Sequence, residues 1–285
     1  MKTKLKTVFN YACTGSILAV FLFACSKKDE PVDNPQNQAT ALSLSMASSI
    51  SQSLYDDVFN QINIEAENNN MAGRLNTETG TLGCATITLS SADLTTFPKV
   101  MTIDYGAGCT VGNITRKGKL TVNLNGRLRT TGTVISVAFD DYSANGYKLE
   151  GTFSVTNNTT NNVLSFTTQT TNGKITYPAG LIYYTHSGTH TYTLIGGTST
   201  TSYLDDSWSV TGSGITTSSS NESLALTIKT PLVKSVACGA IISGIQEFNY
   251  NNLSGNLNFG SGSCDREALL TIGAFNTTIN FYLAE

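Results

Sequence analysis

Charge is what this sequence has least of. Its 17 Lys and Arg and 20 Asp and Glu make up only 13% of 285 residues, against about 25% in an average soluble domain. With a net charge of −3 and no basic cluster, nothing in the chain can neutralise a run of phosphates, which argues against nucleic-acid binding. The Ala, Glu, Lys, Leu and Arg of a coiled coil or helical bundle are missing, and so is the large net charge of a charge-driven disordered chain. No apolar run reaches the roughly 20 residues that span a bilayer as a helix. In place of charge stand 42 Thr, 29 Ser, 26 Asn and 25 Gly, a composition suited to strands and tight turns. Apolar residues at 40% over this length suffice for a core.

The N-terminus carries an address. Lys2, Lys4 and Lys6 followed by the short apolar run Ile17 to Ala24 read as a secretory signal over residues 1–24. Leu22-Phe23-Ala24-Cys25 resembles the lipobox of bacterial lipoproteins, which implies acylation of Cys25 and a mature chain that begins there. Lys28-Asp29-Glu30 resembles the surface-export signal of Bacteroidota lipoproteins. Together they imply an outer-membrane, lipid-anchored protein displayed at the cell surface, with the membrane as partner through its acyl chains; two or more chains anchor stably. Residues 25–40, with Pro31, Asp33, Asn34, Pro35 and Gln36, read as a flexible tether.

The next segment, 41–72, is expected to hold one amphipathic helix, about Ser43 to Glu67. Leu42, Met46, Ile50, Leu54, Val58 and Ile62 recur every four residues, and Asn68-Asn69-Asn70 and Gly73 stop it. Residues 73–285 then switch to period two. Leu120, Val122 and Leu124 alternate with polar neighbours, as do Ile135, Val137 and Phe139, and Asn125-Gly126, Asn145-Gly146 and Asn172-Gly173 supply hairpin turns. The expected fold is mainly β: one extended antiparallel sheet of about ten to twelve strands, as a sandwich or partly closed barrel, with one N-terminal amphipathic helix.

Two segments echo one another. Cys84 precedes Cys109, in Tyr105-Gly106-Ala107-Gly108-Cys109, by 25 positions; Cys238 precedes Cys264, behind Phe259-Gly260-Ser261-Gly262, by 26. These four cysteines are even in number and in an oxidising compartment if the address is right, and three pairings are open. The echo favours a local bridge in each hairpin, 84–109 and 238–264. A tetrathiolate zinc site is disfavoured because no two of the four stand closer than 25 residues. The two aromatic-Gly-x-Gly turns, the phrase Val134 to Asn157 and Thr230-Pro231-Leu232 resemble a family of Bacteroidota cell-surface lipoproteins of unknown function. That resemblance implies the cell envelope and a β-rich fold, and carries over no activity.

Candidate chemistry is thin. There is no Gly-x-Ser-x-Gly elbow, and the glycine pairs 106/108 and 260/262 lack the third glycine of a dinucleotide loop. His186 and His190 share parity with Tyr184 and Tyr192; on a strand they stand roughly 13 Å apart, which predicts two core histidines that do not serve one another. Asp140-Asp141 and Asp205-Asp206 are adjacent and are expected to face opposite sides. Trp208 beside the second pair is expected in the core. No catalytic, cofactor-binding or metal-ligating residue is assigned. The leading reading is a non-enzymatic binding or scaffold protein whose partner is a protein, glycan or apolar ligand. The alternative is a carrier of an apolar or lipid ligand in a cavity between sheet and helix, and a carbohydrate-active enzyme ranks third.

Overall fold

The computed structural model describes residues 34–72, 83–91, 93, 95–200 and 202–281. The signal segment 1–24, Cys25, Lys28, Asp29 and Glu30 lie outside the described residues. Helix α1 (Pro35–Asn68) begins eight residues before Ser43, inside the segment expected to be tether. The cause is local: the Asn34 side chain accepts a hydrogen bond from the Gln36 N–H at 3.0 Å and Pro35 occupies the first turn, a standard cap and start. Asn69 and the left-handed Asn70 (φ 55°) end it.

The apolar stripe also differs from the expected one. A strict four-residue repeat drifts about 40° per step around a 3.6-residue helix, so Met46 comes out 37% exposed while Leu54, Val58 and Ile62 are fully buried. The buried row is instead Ala41, Leu44, Ser48, Ser51, Tyr55, Val58, Ile62 and Ala66, spaced by threes and fours, and two of its members are serines outside the expected stripe.

Among the described residues fourteen strands follow: β1 (Thr86–Leu89), β2 (Lys99–Asp104), β3 (Cys109–Val111), β4 (Ile114–Leu124), β5 (Val134–Ala144), β6 (Tyr147–Asn157), β7 (Ser165–Thr176), β8 (Tyr183–Gly196), β9 (Ser207–Ser218), β10 (Ser223–Ser235), β11 (Ala240–Tyr250), β12 (Leu253–Ser261), β13 (Glu267–Ile272) and β14 (Phe275–Asn280). They form one antiparallel sheet in chain order that is not closed into a barrel, with β3 pairing on the same flank of β4 as β2. Disulfides join Cys84 to Cys109 and Cys238 to Cys264, with Cα atoms 5.4 and 5.6 Å apart. The first ties the entry to β1 to strand β3; the second ties the β10–β11 turn to the β12–β13 turn.

Bulges bend the sheet around the helix. Register slips at Gly118 between β4 and β5, at Gly151 between β6 and β7, and at Gly244 between β11 and β12. At Gly118 φ is +75° and an added Cβ would stand 2.3 Å from the Asp141 carbonyl oxygen, so only glycine allows the strands this close. Each bulge sharpens the local twist. The curled sheet reaches α1 from several sides: Tyr55 donates to the Glu150 carbonyl of β6 at 2.9 Å, Phe59 packs edge-on against Phe166 of β7, and Ser43 bonds Tyr184 of β8. From Leu54 to Phe59 every helix residue is buried.

Candidate functional site

Enclosing the middle of a helix, from Leu54 to Phe59, forces polar residues into the interior, where each group needs a partner. Asp57 receives Arg116 of β4 in a two-pronged pair, 2.9 Å from Nε and 2.5 Å from Nη2, with Tyr142 of β5 donating at 3.5 Å. Asp56 accepts a short hydrogen bond from Tyr192 of β8 and an ion pair from Lys234 of β10 at 3.1 Å. One turn earlier, Gln52 accepts from the Gln246 amide of β11 at 3.0 Å; one turn later, Gln61 accepts from Tyr105 at 3.3 Å. Burial, and then the adjacent carboxylates, push the Tyr192 and Tyr142 phenols well above their ordinary values, so both remain donors. Burial works against the Arg116 charge, but the Asp57 carboxylate more than compensates and holds its pKa above the ordinary range.

Of these groups, Gln52, Asp56, Asp57, Lys234 and Gln246 border a cleft of about 230 Å³. Ser49, Gln52, Asp56, Asp57 and Asn60 line it from the helix. The rest come from both flanks of the open sheet: Asn113 and Ile114 at the β3–β4 turn, and Lys234, Ile241, Gln246, Phe259, Arg266 and Phe281 from β10 onward. The cleft therefore lies where the curled sheet fails to close. Phe259 and Phe281 pack on each other with centroids 5.5 Å apart, giving it an aromatic wall. Among the described residues the buried Ser49 hydroxyl has no hydrogen-bond partner, although a helix serine can bond the carbonyl four residues back. What the arrangement offers is a mixed surface of a cation, carboxylates, amides and an unengaged hydroxyl beside two phenyl rings.

His186 and His190 sit on β8 under the same helix, 3% and 7% exposed. Both are core residues on an aromatic face: the His186 ring stacks against Tyr55 and its Nδ1 bonds the Thr216 hydroxyl at 2.9 Å. Their separation differs from the expected one. Gly188 stands between them, and His186 Nε2 and His190 Cε1 lie 3.1 and 3.2 Å from where its Cβ would be. The rings thus converge over a glycine, and strand rise alone overstates their distance. Burial, then His190, pushes His186 down to about 3; burial lowers His190 as well, with Asp56 opposing. Among the described residues no three His, Cys, Asp or Glu gather in metal-holding geometry.

The acidic pairs behave differently from one another. Asp205 is exposed and Asp206 fully buried, 3.8 Å from Arg129, so they face opposite ways. Asp140 and Asp141 both face outward, because the bulge opposite Gly118 puts Asp141 at φ 47° and reverses the alternation. Asp141 is engaged by Lys148 at 2.7 Å, whose hydrogen bond and charge lower its pKa. Trp208 is buried against Phe166. A cavity between sheet and helix was the alternative expected from the sequence, but with an apolar lining; the polar lining was missed. Its signal was a second helix stripe, Ser49, Gln52, Ser53, Asp56, Asp57 and Asn60, at helical spacing and as regular as the apolar one. Compared with known proteins, the chain matches no family model, no curated protein and no solved structure.

Proposed function

We propose that the mature chain is an outer-membrane, lipid-anchored protein of the cell surface that binds a small polar ligand in the cleft between α1 and the sheet, without chemistry. The observation that carries the ligand-binding part is the cleft's make-up: Gln52, Asp56, Lys234, Gln246 and the unpartnered Ser49 hydroxyl beside Phe259 and Phe281. Hydrogen-bonding groups that fix orientation beside an aromatic wall are the usual content of a small-molecule site. A cavity of about 230 Å³ lies below the 300–1,000 Å³ of drug-sized pockets, which suits one hydroxyl-rich ring, such as a sugar unit of a glycan. The ionic and amide groups disfavour a purely apolar cargo, since each would lose its water to a partner that cannot bond it. Against an enzyme stands the arrangement of the carboxylates. Asp56 and Asp57 are neighbours on one helix, each bonded to its own cation, whereas a glycosidase needs two carboxyl groups flanking the scissile bond.

The anchor rests on Cys25 and the Lys28-Asp29-Glu30 signal. Mass spectrometry of the native protein should find an acylated N-terminal Cys25, and protease added to intact cells should degrade the wild type but spare a variant with alanine at 28–30. For the ligand, a glycan array and a monosaccharide thermal-shift panel are read against Asn60→Trp and Ile241→Trp, which fill the cleft from half-buried positions that are not themselves ion-paired. Binding by the wild type that both variants lose, at unchanged stability, is expected. Ligands that bind all three proteins equally would put the site elsewhere.

A further inference from the structure

We propose that the β7–β8 hairpin tip is a second membrane contact, in which Leu181, Ile182 and Tyr183 enter the bilayer interface on the side where the tether leaves the fold. Leu181 is 88% exposed, Ile182 53% and Tyr183 38%, three successive apolar side chains in water. The tip is a built turn. Tyr177 N–H donates to the Ile182 carbonyl at 2.9 Å, Gly180 N–H donates to the Tyr177 carbonyl at 3.0 Å, and Ala179 and Gly180 both adopt φ 75°. Behind it stand tyrosines: Tyr147 and Tyr177 meet edge to face at 4.9 Å, and Tyr177 and Tyr184 lie 5.4 Å apart. Lys174 sits 4.9 Å over the Tyr183 ring. Apolar side chains at a tip, tyrosines just behind and a lysine able to snorkel match the order of environments across a membrane interface.

Direction decides the occupant. Ser43 bonds Tyr184, and sixteen residues further along α1 Phe59 packs on Tyr192 of the same strand. Helix and β8 therefore run in the same sense, and what precedes each, Asn34 and Leu181, leaves the fold on the same side. From Cys25 to Asn34 the chain extends at most about 32 Å, and the helix adds about 14 Å to Ser43. A chain anchored at Cys25 thus keeps this tip within reach of the bilayer. The opposite end of β8 also has exposed apolar residues, Ile195 at 53% and Leu204 at 46%, but no tether leads there. Lys174 is paired with Glu150 at 3.6 Å and Lys148 with Asp141 at 2.7 Å. With its lysines so balanced, the contact is apolar and does not depend on anionic lipid.

This inference rests on the anchored reading, so the test supplies the anchor independently of acylation. The mature chain with Cys25→Ser and a hexahistidine ahead of residue 25 is held on phosphatidylcholine vesicles containing nickel-chelating lipid and bromine-labelled acyl chains. Leu181→Trp is compared with Leu204→Trp; the native Trp208 is buried and gives the same background in both. Expected are a blue shift and loss of emission for Leu181→Trp, near-absent quenching for Leu204→Trp, and quenching abolished when Ile182→Asp and Tyr183→Asp are added to Leu181→Trp. Equal quenching at both sites, or none at either, overturns the proposal; a tip that stays in water beside the bilayer is left to a protein partner. A native Cys25 without acyl chains would sink the anchor reading alone, while the vesicle result would still judge the tip.

Discussion

Removing the Asp57 carboxylate should be among the most damaging single changes to this fold, and removing its partner along with it should be far milder. The Arg116 and Asp57 side chains are 5% and 10% exposed and meet through two hydrogen bonds. In Asp57→Ala the guanidinium stays buried on β4 with no anion, and breaking a buried pair in this way costs about 3–5 kcal/mol. Arg116→Met is the gentler half. The remaining carboxylate keeps Gln61 Nε2 at 3.3 Å and the Tyr142 hydroxyl at 3.5 Å as donors, so a loss nearer ~2 kcal/mol, one charge-assisted hydrogen bond, is expected. Asp57→Leu with Arg116→Met replaces both charges by apolar groups and should return close to wild type, since such swaps are often neutral or stabilising. Urea unfolding of the four proteins measures this directly; with a urea m-value of ~3 kcal/mol/M, Asp57→Ala should lower the midpoint by ~1 M or more. If Asp57→Ala costs under ~1 kcal/mol, as an exposed pair would, or if the double variant is worse than either single, the helix is not enclosed as described.

Three further outcomes follow from separate parts of the molecule. His186 is held at about 3 by burial and by His190, so it is neutral in the fold and takes up a proton on unfolding below about pH 6.5. Stability is therefore full above that pH and falls as pH drops toward 3, by ~2 kcal/mol at pH 5 from this group; His186→Gln should flatten that limb in urea melts at pH 5 and 7, and an unchanged slope would count against the buried histidine. Gly118→Ala drives a Cβ to 2.3 Å from the Asp141 carbonyl oxygen at a φ of +75° and should cost more than ~3 kcal/mol, whereas Gly132→Ala, with φ +83° and nothing within 4 Å, should cost only ~1–2 kcal/mol. Limited reduction should open Cys238–Cys264 before Cys84–Cys109: each bridge has one exposed cysteine, Cys264 and Cys84, but the partner Cys238 is half-buried and Cys109 fully buried, so only the first bridge is open to attack at either sulfur; alkylation and peptide mapping read the order, and each bridge closes a loop worth roughly 3.5 kcal/mol on the chain-entropy model.

Much of the architecture was legible because its signals are periodic. Alternation at Leu120, Val122 and Leu124 and along β8 marks strands with one buried face, Asn145-Gly146 makes the expected β5–β6 turn, and the Cys84–Cys109 and Cys238–Cys264 echo marks two segments each closed by its own bridge. The other two expected turns differ: Asn172-Gly173 is a bulge inside β7, its positive φ spent on a register slip, and Asn125-Gly126 only opens the loop 125–133. The misreadings have physical causes. Asn34-Pro35 is a helix start inside a segment whose Pro, Asp and Gln content reads as tether. In β5 the buried positions change parity, from Ile135 and Val137 to Tyr142 and Ala144, which is the mark of a bulge but resembles noise in a scan for strict alternation. The convergence of His186 and His190 over Gly188 depends on side chains leaning along the strand, which a rise per residue does not contain. The polar lining of the cleft was hidden for a different reason. Its helix residues have the composition of a solvated face, and only the curl of the sheet, set by glycine bulges far away in sequence, covers them.

That covering is the strongest reason to look for function on the helix's polar side. A sheet curled round a helix could be filled with apolar side chains alone, and such a core would ordinarily be as stable or more so, because desolvating charges is seldom repaid by pairing them. Here Gln52, Asp56, Asp57 and Gln61 face Gln246, Lys234, Arg116 and Tyr105, and every one of those groups has lost water to be there. Two disulfides and an apolar core running from Ala41 to Ile279 allow the fold to carry that cost. Departures from the local rules of stability concentrate where a protein acts, and Gln52, Asp56, Asp57, Lys234 and Gln246 all border one opening. A network needed only to position the helix would have no reason to line a void; one that binds a polar ligand must, because its remaining hydrogen-bonding capacity has to point at the space the ligand fills. Ser49 lines the same opening, and its buried hydroxyl has no hydrogen-bond partner among the described residues.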